Sequence, residues 1–165
     1  LKLMRRRYKR DVYESRVVKI KNAMPDCCIG VDVIVGFPGE TEERFMETYK
    51  FLQNLDVSYF HVFSYSERDN TLAVELEGIV SRQKRAERSK MLQVLSMKKK
   101  RAFYEKHKGE SYPVLWEGEQ DENGYLYGFT SNYIKVKTKD VKVKANTVHQ
   151  VKLIELDRDG IYKHE

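Results

Sequence analysis

The sequence predicts an α/β unit built on a parallel sheet, followed by a small all-β module of antiparallel strands. Three observations predict it. The first part of the chain reads helix–strand–helix–strand, the order of βα units around a parallel sheet. Its first strand, Cys28 to Val35, is an almost continuous β-branched run, as suits a strand covered on both faces. From Gly109 onward the pattern changes to short alternating segments punctuated by Asn123-Gly124 and Asp159-Gly160.

Taken in order, Asp11 is placed to cap a helix running to about Met24, with Val12, Val17, Ile20 and Ala23 or Met24 on one face and Pro25 ending it. The strand from Cys28 breaks at Gly36-Phe37-Pro38-Gly39. Thr41 then caps a helix to about Leu55, with Phe45, Tyr49 and Leu52 inward. A second strand spans Val57 to Phe63, and a loop covers Ser64 to Thr71. Ser81 caps a long basic helix to about Lys106, whose stripe is Ala86, Met91, Leu92, Leu95, Ala102 and Phe103. In the module, strands are expected at Ser111–Glu117, Tyr125–Thr130, Tyr133–Thr138 and Val148–Leu156, with a type I′ turn at Asn123-Gly124. With a further short strand after the Asp159-Gly160 turn, five short strands in all suggest a small antiparallel barrel of OB-like size. The domains expected are 1–108 and 109–165.

Composition bounds the function. The 165 residues carry 31 Lys+Arg against 25 Asp+Glu, a formal charge of +6, and 41% are hydrophobic. That is enough for a buried core but too short for a complete (β/α)₈ barrel of about 200–250 residues. The last 57 residues hold 8 basic and 10 acidic side chains, so the excess of positive charge lies in the first 108. No apolar run approaches the ~20 residues of a membrane span, so no membrane partner is expected. The opening LKLMRRRYKR lacks the apolar core of a signal peptide. The two cysteines, Cys27 and Cys28, are adjacent and point to opposite faces of a strand, which suits neither a disulfide nor a metal site. A cytoplasmic location is expected. The start at Leu1, without Met, suggests an excised fragment.

Sites in parallel α/β folds form at the C-terminal ends of strands. Two loops occupy that place here, Gly36 to Glu40 and Ser64 to Thr71. Glu40 is read either as an acceptor for hydroxyls or an amine, or as an acid compensating a helix dipole. Asp32, taken as buried, needs a partner: it is either a polar contact within a pocket or a tie to Arg6 or Arg7. His61 reads as a hydrogen-bonded core histidine in preference to a ligand. The basic helix supplies Arg85, Arg88 and Lys98 for phosphates. In the module Tyr133 and neighbouring aromatics alternate with Lys135, Lys137 and Lys139, the mixture that RNA binding uses; the alternative is a solvated strand face over core aromatics. A small-molecule enzyme is disfavoured, because no nucleophile–base pair or metal-ligand spacing is present.

Leu3-Met4-Arg5-Arg6-Arg7-Tyr8, GVDVIVGFPGET at Gly30–Thr41, HVFSYSER at His61–Arg68 and GFTSNYIKV at Gly128–Val136 carry a resemblance over nearly the whole chain. Together they resemble the radical-SAM tRNA methylthiotransferases, within them the MtaB-type branch acting on N6-threonylcarbamoyladenosine beside the anticodon. The resemblance implies that the chain is the C-terminal piece of such an enzyme. It would hold the last strands and helices of a partial radical-SAM barrel, then a tRNA-binding TRAM barrel at about 109–165. A complete enzyme would use S-adenosylmethionine and two 4Fe–4S clusters, whose cysteines are not in this sequence, so the fragment alone is expected to be inactive and to bind neither. By resemblance, cofactor contacts map to Arg6, Asp32, Ile34, Gly36, Glu40, Ser66 and Arg68. The family's Pro-Gly after that arginine is replaced here by Asp69-Asn70. The partners implied are tRNA and the missing N-terminal domains, with self-association through an exposed barrel edge. Two alternatives stay open: a standalone RNA-binding protein, and a methylthiotransferase of the isopentenyladenosine branch.

Overall fold

A computed structural model of the chain describes Arg6 and residues 8–164. The residues divide into two compact units, Leu1–Lys100 and Arg101–Glu165. The boundary between these units falls within the long helix.

The first unit contains α1 (Arg10–Ala23), β1 (Gly30–Val35), α2 (Glu42–Asn54), β2 (Tyr59–Ser64), a 3₁₀ turn at Leu72–Glu75 and most of α3 (Arg82–Lys106). β1 and β2 pair in parallel, with Val31 opposite Phe60 and Asp32 opposite His61. Thr41 caps α2 as its sequence demands, its hydroxyl accepting from the Arg44 amide at 3.3 Å. Ser81 does the same for α3 through the Lys84 amide at 3.2 Å. Lys9, and not Asp11, holds the N-cap position of α1, leaving Asp11 in the first turn.

One face of the two-stranded sheet is covered. Val31, Val33 and Val35 of β1 and Phe60 of β2 form a core with Val17 of α1, Phe45 and Leu52 of α2, and Leu92 and Leu95 of α3. Ser96 of α3 also grips β2 directly: its hydroxyl accepts from the Phe60 amide at 2.8 Å and donates to the Phe60 carbonyl at 3.0 Å.

Among the described residues the other face is open, and here the structure corrects the sequence reading. β1 alternates exposed and buried residues instead of burying both faces. Gly30, Asp32 and Ile34 share the exposed side with the paired residues Tyr59, His61 and Phe63. Asp32 is therefore solvent-facing and needs no buried partner. His61 is likewise exposed and is no core histidine; its ring meets Tyr59 edge-on at 5.0 Å.

The helix faces differ in detail from their predicted stripes. In α1 only Val17 is buried, while Val12, Ile20 and Met24 are exposed. In α3, Leu92, Leu95 and Phe103 are buried as expected, but Ala86, Met91 and Ala102 are exposed. The buried side continues instead through Arg85 and Arg88, at 5% and 4% exposure.

The second unit is a six-stranded sheet: β3 (Ser111–Glu117), β4 (Leu126–Thr130), β5 (Lys135–Thr138), β6 (Val148–Lys152), β7 (Glu155–Leu156) and β8 (Tyr162–His164), in the order β6-β3-β4-β5-β8-β7. It is mixed and not wholly antiparallel, because β5 and β8 run parallel. The segment expected as one strand over Val148–Leu156 is two, interrupted at Leu153-Ile154. Trp116, Ile134, Val136, Val151, Leu153 and Tyr162 are fully buried. Tyr104, also buried, donates to the Tyr133 carbonyl at 3.3 Å and accepts from the Lys135 amide at 2.9 Å, which ties the end of α3 to β5.

No two-residue I′ turn forms at Asn123-Gly124, since only the glycine has positive φ (76°). Asp121 organises the loop instead. Its carboxylate accepts from the amides of Asn123 and Tyr125, both at 2.9 Å, and from the Tyr127 hydroxyl at 2.8 Å. Asp157 builds the same device four residues before Ile161, accepting its amide at 2.9 Å. The other carboxylate oxygen of Asp157 forms an ion pair with Lys137, whose side chain is only 8% exposed.

Burial pushes the Asp157 carboxyl up, but Lys137 and the Ile161 amide outweigh it and hold the group below the usual carboxylate range. A depressed native value contributes stability that is present above the unfolded value of about 3.9 and lost as pH falls through the native one. Lys137→Met is expected to destabilise the second unit by about 3 kcal/mol at neutral pH, because it strands Asp157. Urea unfolding of the Asp157→Asn variant should converge with the parent chain below about pH 4; a constant difference from pH 7 to 3 would contradict the assignment.

Candidate functional site

The site begins with backbone that favours glycine. Gly36 and Gly39 sit at φ 77° and 81° at the C-terminal end of β1. A Cβ on Gly36 would lie 2.3 Å from Cγ of Arg85, so the glycine lets the arginine stem cross the turn. Arg85 then donates from Nε to the Val80 carbonyl at 2.8 Å and from Nη1 to the Tyr65 carbonyl at 2.9 Å. Its fork closes on Glu67, with the nearer contact at 2.5 Å. That pairing pulls the Glu67 carboxyl down to about 2.

One turn further along α3, Arg88 donates to the Glu40 carboxylate at 2.8 Å and to the Glu40 carbonyl at 2.9 Å. Its second nitrogen reaches Glu42 at 3.2 Å. Glu40 also accepts from the Gly36 amide at 2.7 Å, so one carboxylate closes the turn and receives the helix. The two loops after β1 and β2 are therefore each held by a buried guanidinium.

Between these loops lies a cleft of about 940 Å³ at the C-terminal ends of β1 and β2. Arg6, Asp32, Ile34, Ser66 and Arg68 all line it, so five of the seven cofactor residues mapped from the sequence converge. A second hollow of about 310 Å³ shares Arg6, Asp32 and Ile34 and adds Glu40. A third, of about 420 Å³, continues along the open sheet face past Asp32 to Tyr59, His61 and Tyr13. Gly36 lines none of the three; its part is to shape the turn.

The cleft is amphipathic. Ile34 and Phe63 present 38% and 53% of their surface beside Asp32, Arg6 and Arg68. Opposite charges, hydroxyls from Ser64, Ser66 and Thr71, and the edge-on pair Phe37–Tyr65 at 5.3 Å suit a small zwitterion with an apolar ring. Phe37 and Phe63 were not singled out from sequence. The signal was present in β2, where Tyr59, His61 and Phe63 alternate with Phe60 and Val62. Among the described residues there is no group of three or more His, Cys, Asp or Glu able to hold a metal ion.

The expected RNA contacts fare unequally. Arg85 and Arg88 are corrected: both are buried and spend their guanidinium groups on loops of their own unit, so neither presents a fork to phosphate. Lys98 is exposed on α3. Of the three lysines expected on one strand face, Lys137 is buried against Asp157, Lys135 is half-buried and Lys139 is exposed. Their ammonium groups lie over tyrosine rings: Lys135 over Tyr127 at 4.4 Å, Lys137 and Lys139 over Tyr125 at 4.8 and 4.5 Å. Tyr133 is 63% exposed. No helix among the described residues is long and apolar enough to cross a membrane.

Fold and cleft together define a helix-backed parallel sheet with a ligand-sized hollow at its strand ends, joined to a mixed β module. No protein-family profile matches the chain. The threonylcarbamoyladenosine tRNA methylthiotransferase MtaB of Bacillus subtilis is 37% identical over 157 residues, covering 93% of this chain and 35% of the relative. The MtaB of Aquifex aeolicus is 43% identical over 142 residues, 86% of this chain and 33% of the relative. A tRNA-2-methylthio-N(6)-dimethylallyladenosine synthase of Bacillus pumilus is 35% identical over 154 residues, 93% of this chain and 30% of the relative. The chain belongs to the tRNA methylthiotransferase family. It spans about a third of the length of the curated relatives it matches.

Arg88→Met is expected to cost about 3 kcal/mol in chemical denaturation, because it leaves the Glu40 carboxylate enclosed with its cation gone. The Glu67 tie behaves differently with pH: its depressed carboxyl keeps the contact from about pH 4 upward and loses it toward pH 2. A Glu67→Gln variant should therefore lose the acid dependence of this loop, read as proteolytic cleavage within Ser64–Thr71.

Proposed function

We propose that the chain is the C-terminal part of a tRNA methylthiotransferase that adds a methylthio group to C2 of N6-threonylcarbamoyladenosine. The observation that carries this is the convergence of Arg6, Asp32, Ile34, Ser66 and Arg68 on one cleft, in a chain alignable over 93% of its length with such an enzyme.

The cleft suits S-adenosylmethionine by its donor set. Arg6 or Arg68 would take the carboxylate, Asp32 the amino group, and Ser66 and Glu40 the ribose hydroxyls. Ile34 and Phe37 would offer apolar surface to the base. When bound beside an iron–sulfur cluster, this cofactor supplies a radical. The chain's own residues bind and orient it and shield one side from water. The iron–sulfur clusters and the remaining barrel strands are assigned to other domains of the parent enzyme, and the chain alone is taken to be inactive. We assign the second unit to tRNA binding as a TRAM-type module, with Tyr133, Lys135 and Lys139 on its outer face; in the first unit, Lys98 on α3 is assigned to tRNA contact by itself. The cytoplasm, where tRNA is modified, is the corresponding compartment. The edge of β1 that no strand covers among the described residues is the place for self-association or for a further strand.

A dimethylallyladenosine substrate is the second reading, favoured by relatives at 34–35% identity. Deleting the gene and digesting bulk tRNA to nucleosides separates the two by mass spectrometry. The threonylcarbamoyl nucleoside should lose its methylthio group. Loss from the isopentenylated nucleoside would move the chain to the other branch, and no change in either would overturn the reading.

A further inference from the structure

The aromatic residues of the second unit are not equivalent. Tyr125, Tyr127, Phe129 and Tyr133 lie on the outer side of β4, β5 and their flanks, where Phe129 faces Lys135 and Tyr127 faces Lys137 across the ladder. The rings of Tyr125 and Tyr127 already carry lysine ammonium groups at 4.4–4.8 Å. A ring face covered by a cation is closed to a stacking base. Tyr133 carries no such cation among the cation–ring contacts seen in this unit, and its ring packs on Phe129 at 5.1 Å and 35°.

The backbone at Tyr133 is unusual. Its φ is 67°, in the left-handed region that costs a bulky residue about 1–2 kcal/mol. The surroundings enforce it. The Tyr133 amide donates to the Thr130 carbonyl at 3.0 Å, and its carbonyl accepts from Tyr104 at 3.3 Å. The next residue, Ile134, is fully buried and donates its amide to the Thr130 hydroxyl at 2.9 Å. Glycine would fill this position at less cost. A large ring is held outward at a place where folding alone favours having none.

Resting on the reading that this unit binds RNA, we infer that Tyr133, backed by Phe129, is a stacking platform for a single unpaired base. Lys135 and Lys139 hold the neighbouring phosphates. Lys137 serves the fold through Asp157, and Tyr125 and Tyr127 position lysines instead of stacking bases. The surface thus reads one splayed nucleotide and not a run of them.

The test compares the full chain with Tyr133→Gly, Tyr133→Trp and the double variant Lys135→Ala/Lys139→Ala. The probe is a short single-stranded RNA carrying one 2-aminopurine, whose fluorescence is quenched on stacking. Tyr133→Gly should melt no lower than the parent chain, because it relieves the left-handed strain. It should bind about five- to a hundredfold more weakly, lose the quenching and keep the salt dependence. Tyr133→Trp should retain binding and quenching. The lysine variant should flatten the salt dependence and leave the quenching of bound RNA intact. If the parent chain binds no RNA, the reading beneath the proposal fails and the proposal with it. If the parent binds and Tyr133→Gly binds equally, or if that variant melts lower, the ring has a structural or protein-contact role and the platform is overturned.

Discussion

Two guanidinium groups decide the shape of the first unit. Arg85 and Arg88 leave the same side of α3 and enter the loops that follow β1 and β2, where they meet Glu67, Glu40 and Glu42. A buried charge is expensive unless paired and hydrogen-bonded, so once α3 docks through Leu92 and Leu95 the loops must close around these cations. The turn at Gly36, the position of Glu40 and the exposure of Ser66 and Arg68 follow from that closure. The cleft is thus a by-product of how the loops are fastened from behind by Arg85 and Arg88.

This division of labour explains what was legible in the sequence. The order of elements and the caps at Thr41 and Ser81 followed from periodicity and local hydrogen-bonding chemistry. Arg85 and Arg88 were misread as surface cations because a hydropathy stripe counts arginine as outward. Their buried role depends on acids 18 and 48 residues away in sequence. β1 was misread for the opposite reason: Ile34 and Val33 look alike in composition, and only the lack of cover on one side separates them. Of the residues carried by the family resemblance, Arg6, Asp32, Ile34, Ser66 and Arg68 line one cleft, whereas Phe63, at the end of β2, lines it without having been singled out.

In the second unit the same physics is applied to turns. Asp121 and Asp157 each fold a loop onto their own carboxylate, with Gly124 and Gly160 supplying positive φ three residues on. Lys137 pairs with the second of them from the middle of β5. The alternation of lysine and tyrosine that suggested a uniform nucleic-acid surface therefore contains one structural cation, two rings occupied by ammonium groups and one ring left open. Residue type alone does not separate these roles. The separation comes from which strand lies opposite and from the left-handed backbone at Tyr133.

The hydroxyl of Ser96 gives the two-stranded sheet a direction. By taking both the amide and the carbonyl that Phe60 turns away from β1, it occupies the outer margin of β2 with a helix side chain. Hydrogen-bonding capacity at that point is spent, and a strand arriving from that side would have to displace α3. β1 has no such guard among the described residues. The sheet is a terminus with one sealed end, and additional strands can be laid down only in the order that brings them to β1.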